Sequence, residues 1–428
     1  MSICRNVKFD FAKVIIVALL LVTLMPYFKP NDLGSFFLNV PEQFSYALAL
    51  GLISLLPVGL LASGKITVAD LRSAFARIPW FWFYVALLML ACLVRWLSGV
   101  GSLNFQGFAR LYSYIVTGAV GLFVVPMLID TRERFLFWLK GIALISSLVG
   151  IAGVMGVMEV EPFSSWILRD EMMEFINLPS TASVFFEPNI FGSVMMFGAI
   201  VSTYLLLTTS QSLFSLSLYL VAIAANLGGV FVSWSRAAWL CLAVAGGLVV
   251  LSYMPKFVRA FLVVSALAAT VGVCFWLSYQ ESPLKDALML EDVLTGRPEL
   301  WLAGLFAMVE RPLWGLGLSH IDLGEVLQRA GHNHITTHQV FIDQGVMSGL
   351  PVMFAYGWLF VSVFHRLQVM PKLQHSMKLF FVCLFSAIFL FIQFSPHNIG
   401  GTSFFAFQMT VLIGLIFSPN FRETHHAH

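Results

Sequence analysis

Two arginines and a run of histidines are the residues in this chain best suited to chemistry. Arg236 sits in Ser233-Trp-Ser-Arg-Ala-Ala-Trp239, a short turn between two long apolar runs. A guanidinium at membrane depth is costly unless it is paired or faces water. Its planar fork matches the oxygens of a phosphate or diphosphate. Taken alone, the same arginine serves equally as an interfacial anchor, with Trp234 and Trp239 as belt residues. Arg297 lies in Thr295-Gly-Arg-Pro-Glu-Leu-Trp301, where Pro298 suits the first turn of a helix. A helix N-terminus favours anions, and an arginine there strengthens such a site. The plainer reading is a solvated arginine paired with Glu299.

The histidines are Gly331-His-Asn-His-Ile-Thr-Thr-His338. Imidazole titrates near neutrality, so one of them can act as a general base. His332, His334 and His338 also have spacing that could hold a metal ion. No cysteine lies near them and the next acid downstream is Asp343, so acid–base chemistry is favoured over coordination and no metal or cofactor is expected. His334 and His338 would share a face if the segment were helical. Two smaller groups join these. Glu187-Pro-Asn189 opens an apolar run, where the proline can leave a carboxylate and carbonyls facing a cavity or simply start a helix. His397-Asn398-Ile-Gly-Gly401 forms a short turn. Arg95 and Lys140 fall near the ends of apolar runs, as snorkelling side chains do.

The elements that must position these residues follow from composition. Of 428 residues, 59% are hydrophobic and 11% charged, against about a quarter charged in soluble domains. Apolar runs near the ~20 residues needed to cross a bilayer recur throughout. They predict an all-α polytopic membrane protein with about twelve transmembrane helices. The approximate cores are 13–28, 44–62, 79–97, 112–129, 135–156, 184–208, 213–233, 237–254, 257–279, 347–365, 378–394 and 402–418. The first reads as a retained span, not a removable signal peptide. The five cysteines show no metal spacing and read as small hydrophobes. The partner implied by this composition is the lipid bilayer, with no nucleic acid.

Lysine and arginine in the short loops set the orientation. With the N-terminus in the cytoplasm, the inside segments hold Arg5, Lys8 and Lys13, then Lys65, Arg72 and Arg77, then Arg132 and Arg134. Lys256, Arg259, Arg366, Lys372, Lys378 and Arg422 continue the pattern, while Glu159, Glu161, Asp170, Glu171 and Glu174 crowd one outside loop. Both termini are then cytoplasmic. Two outside segments are long, 157–183 and about 280–346. The second is expected to lie over the membrane as short amphipathic helices, with Leu300, Trp301, Leu305 and Met308 at helical spacing, a turn at Pro312-Leu-Trp-Gly-Leu-Gly and a second helix near 320–330. This divides the chain into 1–183, with the first helices and first long loop, and 184–428, with the catalytic loop. Glu187, Arg236, Arg297, the histidines and His397 all fall on the outer face, although no motif was used to set the orientation.

These motifs resemble the O-antigen ligase and O-antigen polymerase superfamily. Ser233 to Trp239 is similar to its Ser-x-Ser-Arg-x-x-Trp stretch. Gly296-Arg-Pro-Glu-Leu-Trp followed by Arg311-Pro-Leu-Trp-Gly-Leu-Gly317 is similar to its Gly-Arg…Trp…Pro…Gly-x-Gly run. Thr337-His-Gln-Val-Phe-Ile-Asp343 with Gly349-Leu-Pro resembles the His-Asn-x-aromatic-Leu segment and the span after it. Glu187-Pro-Asn189 resembles an acidic-Pro-Asn element. The match runs in order over roughly 180–365. Gln339 departs from the family's Asn, which here follows His332. His338 is the better register for the catalytic histidine because Val340, Phe341, Ile342 and Gly349 keep the pattern; His334 is the alternative, by its spacing to Asp343 and Gly345.

The resemblance implies a GT-C-like membrane glycosyltransferase of the bacterial inner membrane with a periplasmic active site. Its donor would be an undecaprenyl-diphosphate-linked glycan, and its acceptor a growing glycan or lipid A-core. Arg236 and Arg297 would bind diphosphate, His338 (or His334) would be the base, and Glu187, Asn189, His332 and His397 would support them. The reaction would be inverting and metal-independent. The superfamily also includes bicarbonate-transport proteins, so transport of a small anion is the alternative. A transporter would place charges near the bilayer midplane, where this sequence has almost none.

Overall fold

The computed structural model describes residues 10–24, 42–98, 105–161, 163–166, 169–173, 178–181, 183, 185, 187–209, 212–259, 262, 265, 297–318, 320–329, 331, 336–370, 375–395, 397–401 and 403–418. Backbone polar groups in lipid must find partners within their own segment, and the described apolar runs are accordingly helices. In order they are α1 (Phe11–Leu24), α2 (Glu42–Ala62), α3 (Val68–Phe75), α4 (Pro79–Leu97) and α5 (Phe105–Ala119). A π-turn (Val120–Val124) joins α5 to α6 (Val125–Leu128). Then come α7 (Arg132–Val157), the short α8 (Phe163–Trp166), α9 (Pro188–Thr208), α10 (Leu213–Ser233) and α11 (Arg236–Ser252). The series ends with α12 (Arg297–Glu310), α13 (His320–Arg329), α14 (Val340–Ser348), α15 (Leu350–Gln368), α16 (His375–Phe391) and α17 (Phe404–Phe417).

Among the described residues, six helices are long and apolar enough to cross a membrane by length and composition, and five apolar helices are shorter. Each coincides with one of the expected runs. The run at 257–279 lies almost wholly outside the described residues. The chain is therefore a helical polytopic membrane protein. Among the described residues, one element departs from helix. β1 (Arg169–Met173) and β2 (Leu178–Thr181) pair antiparallel, with Arg169 opposite Thr181 and Met173 opposite Leu178. Strands this short leave no periodic signal, so the sequence did not announce them.

Burial orders the bundle. In α17 every residue from Phe404 to Ile416 is buried, as expected of a helix hydrophobic all round at the centre of a bundle. It packs on the π-turn, and Gln408 on it accepts a 2.8 Å hydrogen bond from Trp138 on α7. α9 is also central, with 78% of its apolar window buried, whereas α10 has 17% and faces outward. Small residues let these helices meet. A Cβ added at Gly198 of α9 would fall 2.1 Å from Ser146 Oγ on α7 and 2.3 Å from Asn226 Oδ1 on α10. Close approach of this kind is how helices associate where lipid removes the hydrophobic drive between them. Cys92, Cys241 and Cys383 are buried free thiols, as read. Arg95, in the last turn of α4, is buried within the bundle at 9% exposure.

The connecting region before α15 is held by backbone contact. Leu316 and Gly317 donate from their amides to the carbonyls of Val346 and Met347, at 2.8 and 3.0 Å, and Leu350 donates to Pro312 O at 2.7 Å. Gly315 has φ +65°, and a Cβ on it would lie 2.4 Å from Ser348 N. This explains the turn Pro312-Leu-Trp-Gly-Leu-Gly. The glycine accepts a left-handed backbone and also lets the turn lie directly on α14. In α13, Leu323, Val326 and Leu327 face inward, which is amphipathic as expected. α12 is not: Leu300, Ala307 and Met308 are buried, yet Leu302, Leu305, Phe306 and Val309 are exposed and apolar. Leu305 lies off the face of Leu300 and Met308, and the helix presents apolar surface on both sides.

Gly315→Ala should lower the thermal midpoint of the detergent-solubilised protein, by an amount corresponding to about 1–3 kcal/mol. Gly246→Ala, with nothing within 4 Å of the added Cβ, should leave it unchanged or raise it slightly. Equal midpoints for the two variants would contradict this account of the turn.

Candidate functional site

The site builds up around the N-termini of α9, α11 and α12, whose charged residues act on one another electrostatically. At the end of α10, Trp234 takes a left-handed backbone, φ +51°. Ser233 Oγ donates to Val230 O at 2.8 Å and accepts from Ser235 N at 3.2 Å. This stops α10 and turns the chain so that Arg236 becomes the first residue of α11. Ser235 Oγ then donates to Asn189 Oδ1 at 3.1 Å, and Asn189 Nδ2 donates to Glu187 Oε1 at 3.2 Å. α9 can come this close because of Gly192, where a Cβ would lie 2.5 Å from Ser235 Cβ. The Ser-x-Ser-Arg and Glu-Pro-Asn motifs are thus two halves of one hydrogen-bonded corner.

Arg297 is the first residue of α12. Its guanidinium stacks on Phe394 at 5.8 Å from the ring centre. Burial lowers its pKa, the nearby Arg236 lowers it further and Glu187 offsets this. Glu187 is held above the ordinary carboxylate value by burial, with Asn189 and Arg297 pulling the other way. Two arginines and one carboxylate therefore share one electrostatic neighbourhood. Glu299 is exposed on α12, and the charge that acts on Arg297 is that of Glu187, not Glu299. Each arginine also opens a helix, so both helix dipoles point their positive ends the same way as the guanidinium charge. Such an arrangement suits an anion.

His338 lies in the segment 336–339, ahead of α14, with φ +57°. It is not helical, which corrects the notion of a shared helix face with His334. A left-handed backbone costs a non-glycine residue on the order of 1–2 kcal/mol, and neighbouring bonds hold it. Thr337 donates to Asp343 Oδ1 from its amide at 2.8 Å and its hydroxyl at 2.6 Å. Gln339 Nε2 donates to Gln393 Oε1 at 2.7 Å, and Val340 N to Ile392 O at 3.3 Å. Since Gln393 precedes Phe394, the segment carrying His338 and the ring beneath Arg297 hang from the same turn after α16. Gln393 and Phe394 went unnoticed in the sequence, because nothing at the end of an apolar run marks its polar partners.

His332 and His334 lie outside the described residues. His397 lies in the turn before α17. It is 8% exposed and sits against Phe391 and Phe405, at 5.9 and 5.1 Å between ring centres. Burial lowers its pKa to about 4, so it is a neutral aromatic at physiological pH. Its neighbour makes the polar link instead. Asn398 accepts from Gln344 Nε2 and donates to Tyr114 OH, both at 3.0 Å.

Asp343 is 1% exposed, and burial raises its pKa from the ordinary 3.8 to about 6, against the pull of Thr337. Between those values the folded chain holds a proton that the unfolded chain has lost. Stability should therefore fall as pH rises from about 4 to about 6, by something on the order of 3 kcal/mol. Thermal midpoints in detergent should show this decline, and Asp343→Asn should flatten it. An unchanged slope in that variant would assign the decline to another group.

Residues 218–357 match the family model described as O-antigen ligase. No curated protein matches the chain. The matched segment contains Arg236, Arg297 and His338, but neither Glu187 nor His397. Over that segment, about a third of its length, the chain is similar to the O-antigen ligase family.

Proposed function

We propose that this protein is a membrane glycosyltransferase that takes a glycan from undecaprenyl diphosphate and ligates or polymerises it into a surface polysaccharide. The observation that carries the reading is the electrostatic influence of Arg236 on Arg297, each at a helix N-terminus, with Arg297 beside the turn that also anchors His338. The diphosphate of the donor would lie against both guanidinium groups. The acceptor hydroxyl would attack the anomeric carbon as His338 takes its proton. The bond from that carbon to the diphosphate oxygen breaks, with the electron pair leaving on the diphosphate. Charge grows on that oxygen in the transition state, where fixed cations and helix dipoles lower the barrier most. The transfer would invert the anomeric centre and need no metal. Glu187 and Asn189 would hold the corner in which the arginines sit.

Around this site we infer about twelve spans in a GT-C-like arrangement, with both termini in the cytoplasm of a bacterial cell and the site facing the periplasm. Residues 1–183 would form the outer helices and 184–428 the catalytic half. The transport alternative has no feature of its own in the described residues. The charged cluster sits at helix ends, where a diphosphate headgroup would arrive, and not midway along them.

Arg236→Lys and Arg297→Lys keep the charge but lose the bidentate fork. Each should cut transfer about tenfold or more while membrane insertion stays normal. His338→Ala should reduce transfer by about 100-fold or more and leave donor binding intact. The measurement is lipid-linked glycan against finished product in cells carrying each variant. Full activity in all three would remove the enzymatic reading of this site.

A further inference from the structure

Thr337, the residue before His338, is gripped on two sides. Its amide and hydroxyl both donate to Asp343 Oδ1, at 2.8 and 2.6 Å. Its methyl faces α12 at Gly304, where an added Cβ would lie 2.8 Å from Thr337 Cγ2 and 2.5 Å from Ile342 Cγ2. The same helix begins with Arg297. Thr337 is fully buried and Asp343 nearly so. The grip therefore connects the acid in α14, the left-handed backbone at His338 and the helix of one arginine.

A carboxyl group in such a place is a poor choice for stability alone. Ionised and buried, it costs the fold more than an uncharged isostere would. What it offers instead is a strong acceptor for two donors on one residue, since charge-assisted hydrogen bonds are the shorter and stronger kind. A left-handed histidine is uphill and relaxes unless its surroundings fix it.

We propose that Asp343 is a positioning residue for His338: its carboxylate clamps Thr337 through both amide and hydroxyl, fixing the left-handed turn that presents the imidazole to the acceptor hydroxyl. This rests on the reading of His338 as the base. The clamp also explains threonine at 337. Its hydroxyl serves Asp343, and its methyl fills the space that Gly304 leaves, which sets the separation of the histidine from Arg297.

The test uses the full-length protein in cells lacking their own copy. The readout is the rate at which radiolabelled sugar passes from undecaprenyl diphosphate into product, per molecule of protein, together with the thermal midpoint of each variant at pH 7. Asp343→Asn and Thr337→Val should each slow transfer about tenfold or more; Asp343→Asn should keep a midpoint equal to or above that of the parent, whereas Thr337→Val, which leaves the buried carboxylate one donor short, should lower it. Combined, they should be no slower than the worse of the two, because both release one clamp. Thr337→Ser, which keeps the hydroxyl, should retain most of the rate. A full rate in Thr337→Val, losses that multiply in the double variant, or a loss in Asp343→Asn that follows a lowered midpoint would each overturn the clamp. If Asp343→Asn fails to accumulate, the Thr337→Val and Thr337→Ser pair decides the question. A full rate in His338→Ala points elsewhere: it removes the base itself, whereas an inactive His338→Ala beside a fully active Thr337→Val removes only the clamp.

Discussion

Arg236 and Arg297 come from helices far apart in the chain, and like charges raise each other's cost, most for Arg297, which is half-buried where Arg236 is exposed. Bringing them together needs both a counter-charge and stiff supports. Glu187 supplies the first, at the head of the central helix α9. The supports are the corner where Ser235 meets Asn189, and Phe394 beneath Arg297. Almost every close approach around the site follows from this. Gly192 admits Ser235, Gly304 admits Thr337, and Gly315 lies on the end of α14. At such spots a methyl group would push a charged or polar residue away from its neighbour.

Buried polar groups form a second layer behind the arginines. Gln344, Asn398, Tyr84 and Tyr114 link α14, the turn before α17, α4 and α5 by side-chain hydrogen bonds of 3.0–3.3 Å. Isolated in an apolar surrounding, each would be costly. Joined, they fix how α14 sits against the bundle, and α14 in turn supports the segment that carries His338. The apolar core alone is less specific, since aliphatic surfaces in lipid slide with little penalty, whereas a satisfied network has one register.

The spans were legible because a bilayer imposes both length and composition on whatever crosses it. The eleven described apolar helices fall on the expected runs for that reason. Motifs at helix starts were legible too: Arg297 opens α12 and His320 opens α13, close to where proline and spacing put them. Contacts between distant segments were not. Gln339 meets Gln393 across 54 positions, and nothing in either neighbourhood names the other. The β1–β2 pair is built from backbone groups, which every residue carries. A histidine in a polar turn invited a chemical role, yet the fold encloses it between two phenylalanines and gives the polar link to Asn398. The double-sided α12 was missed because four apolar residues at roughly helical spacing were read as one face.

α17 has a bearing on how the molecule is made. It follows all the other described helices in the chain, yet it lies innermost, enclosed from Phe404 to Ile416. Helices synthesised earlier must enter the bilayer and wait with the seat for α17 unfilled, and Gln408 reaches Trp138 only when it arrives. During synthesis the protein is therefore an inserted bundle with its centre incomplete. A ribosome stalled before Phe404 would leave a membrane-embedded intermediate with an open apolar seam, the kind of species that quality-control proteases recognise and that misassembles when crowded.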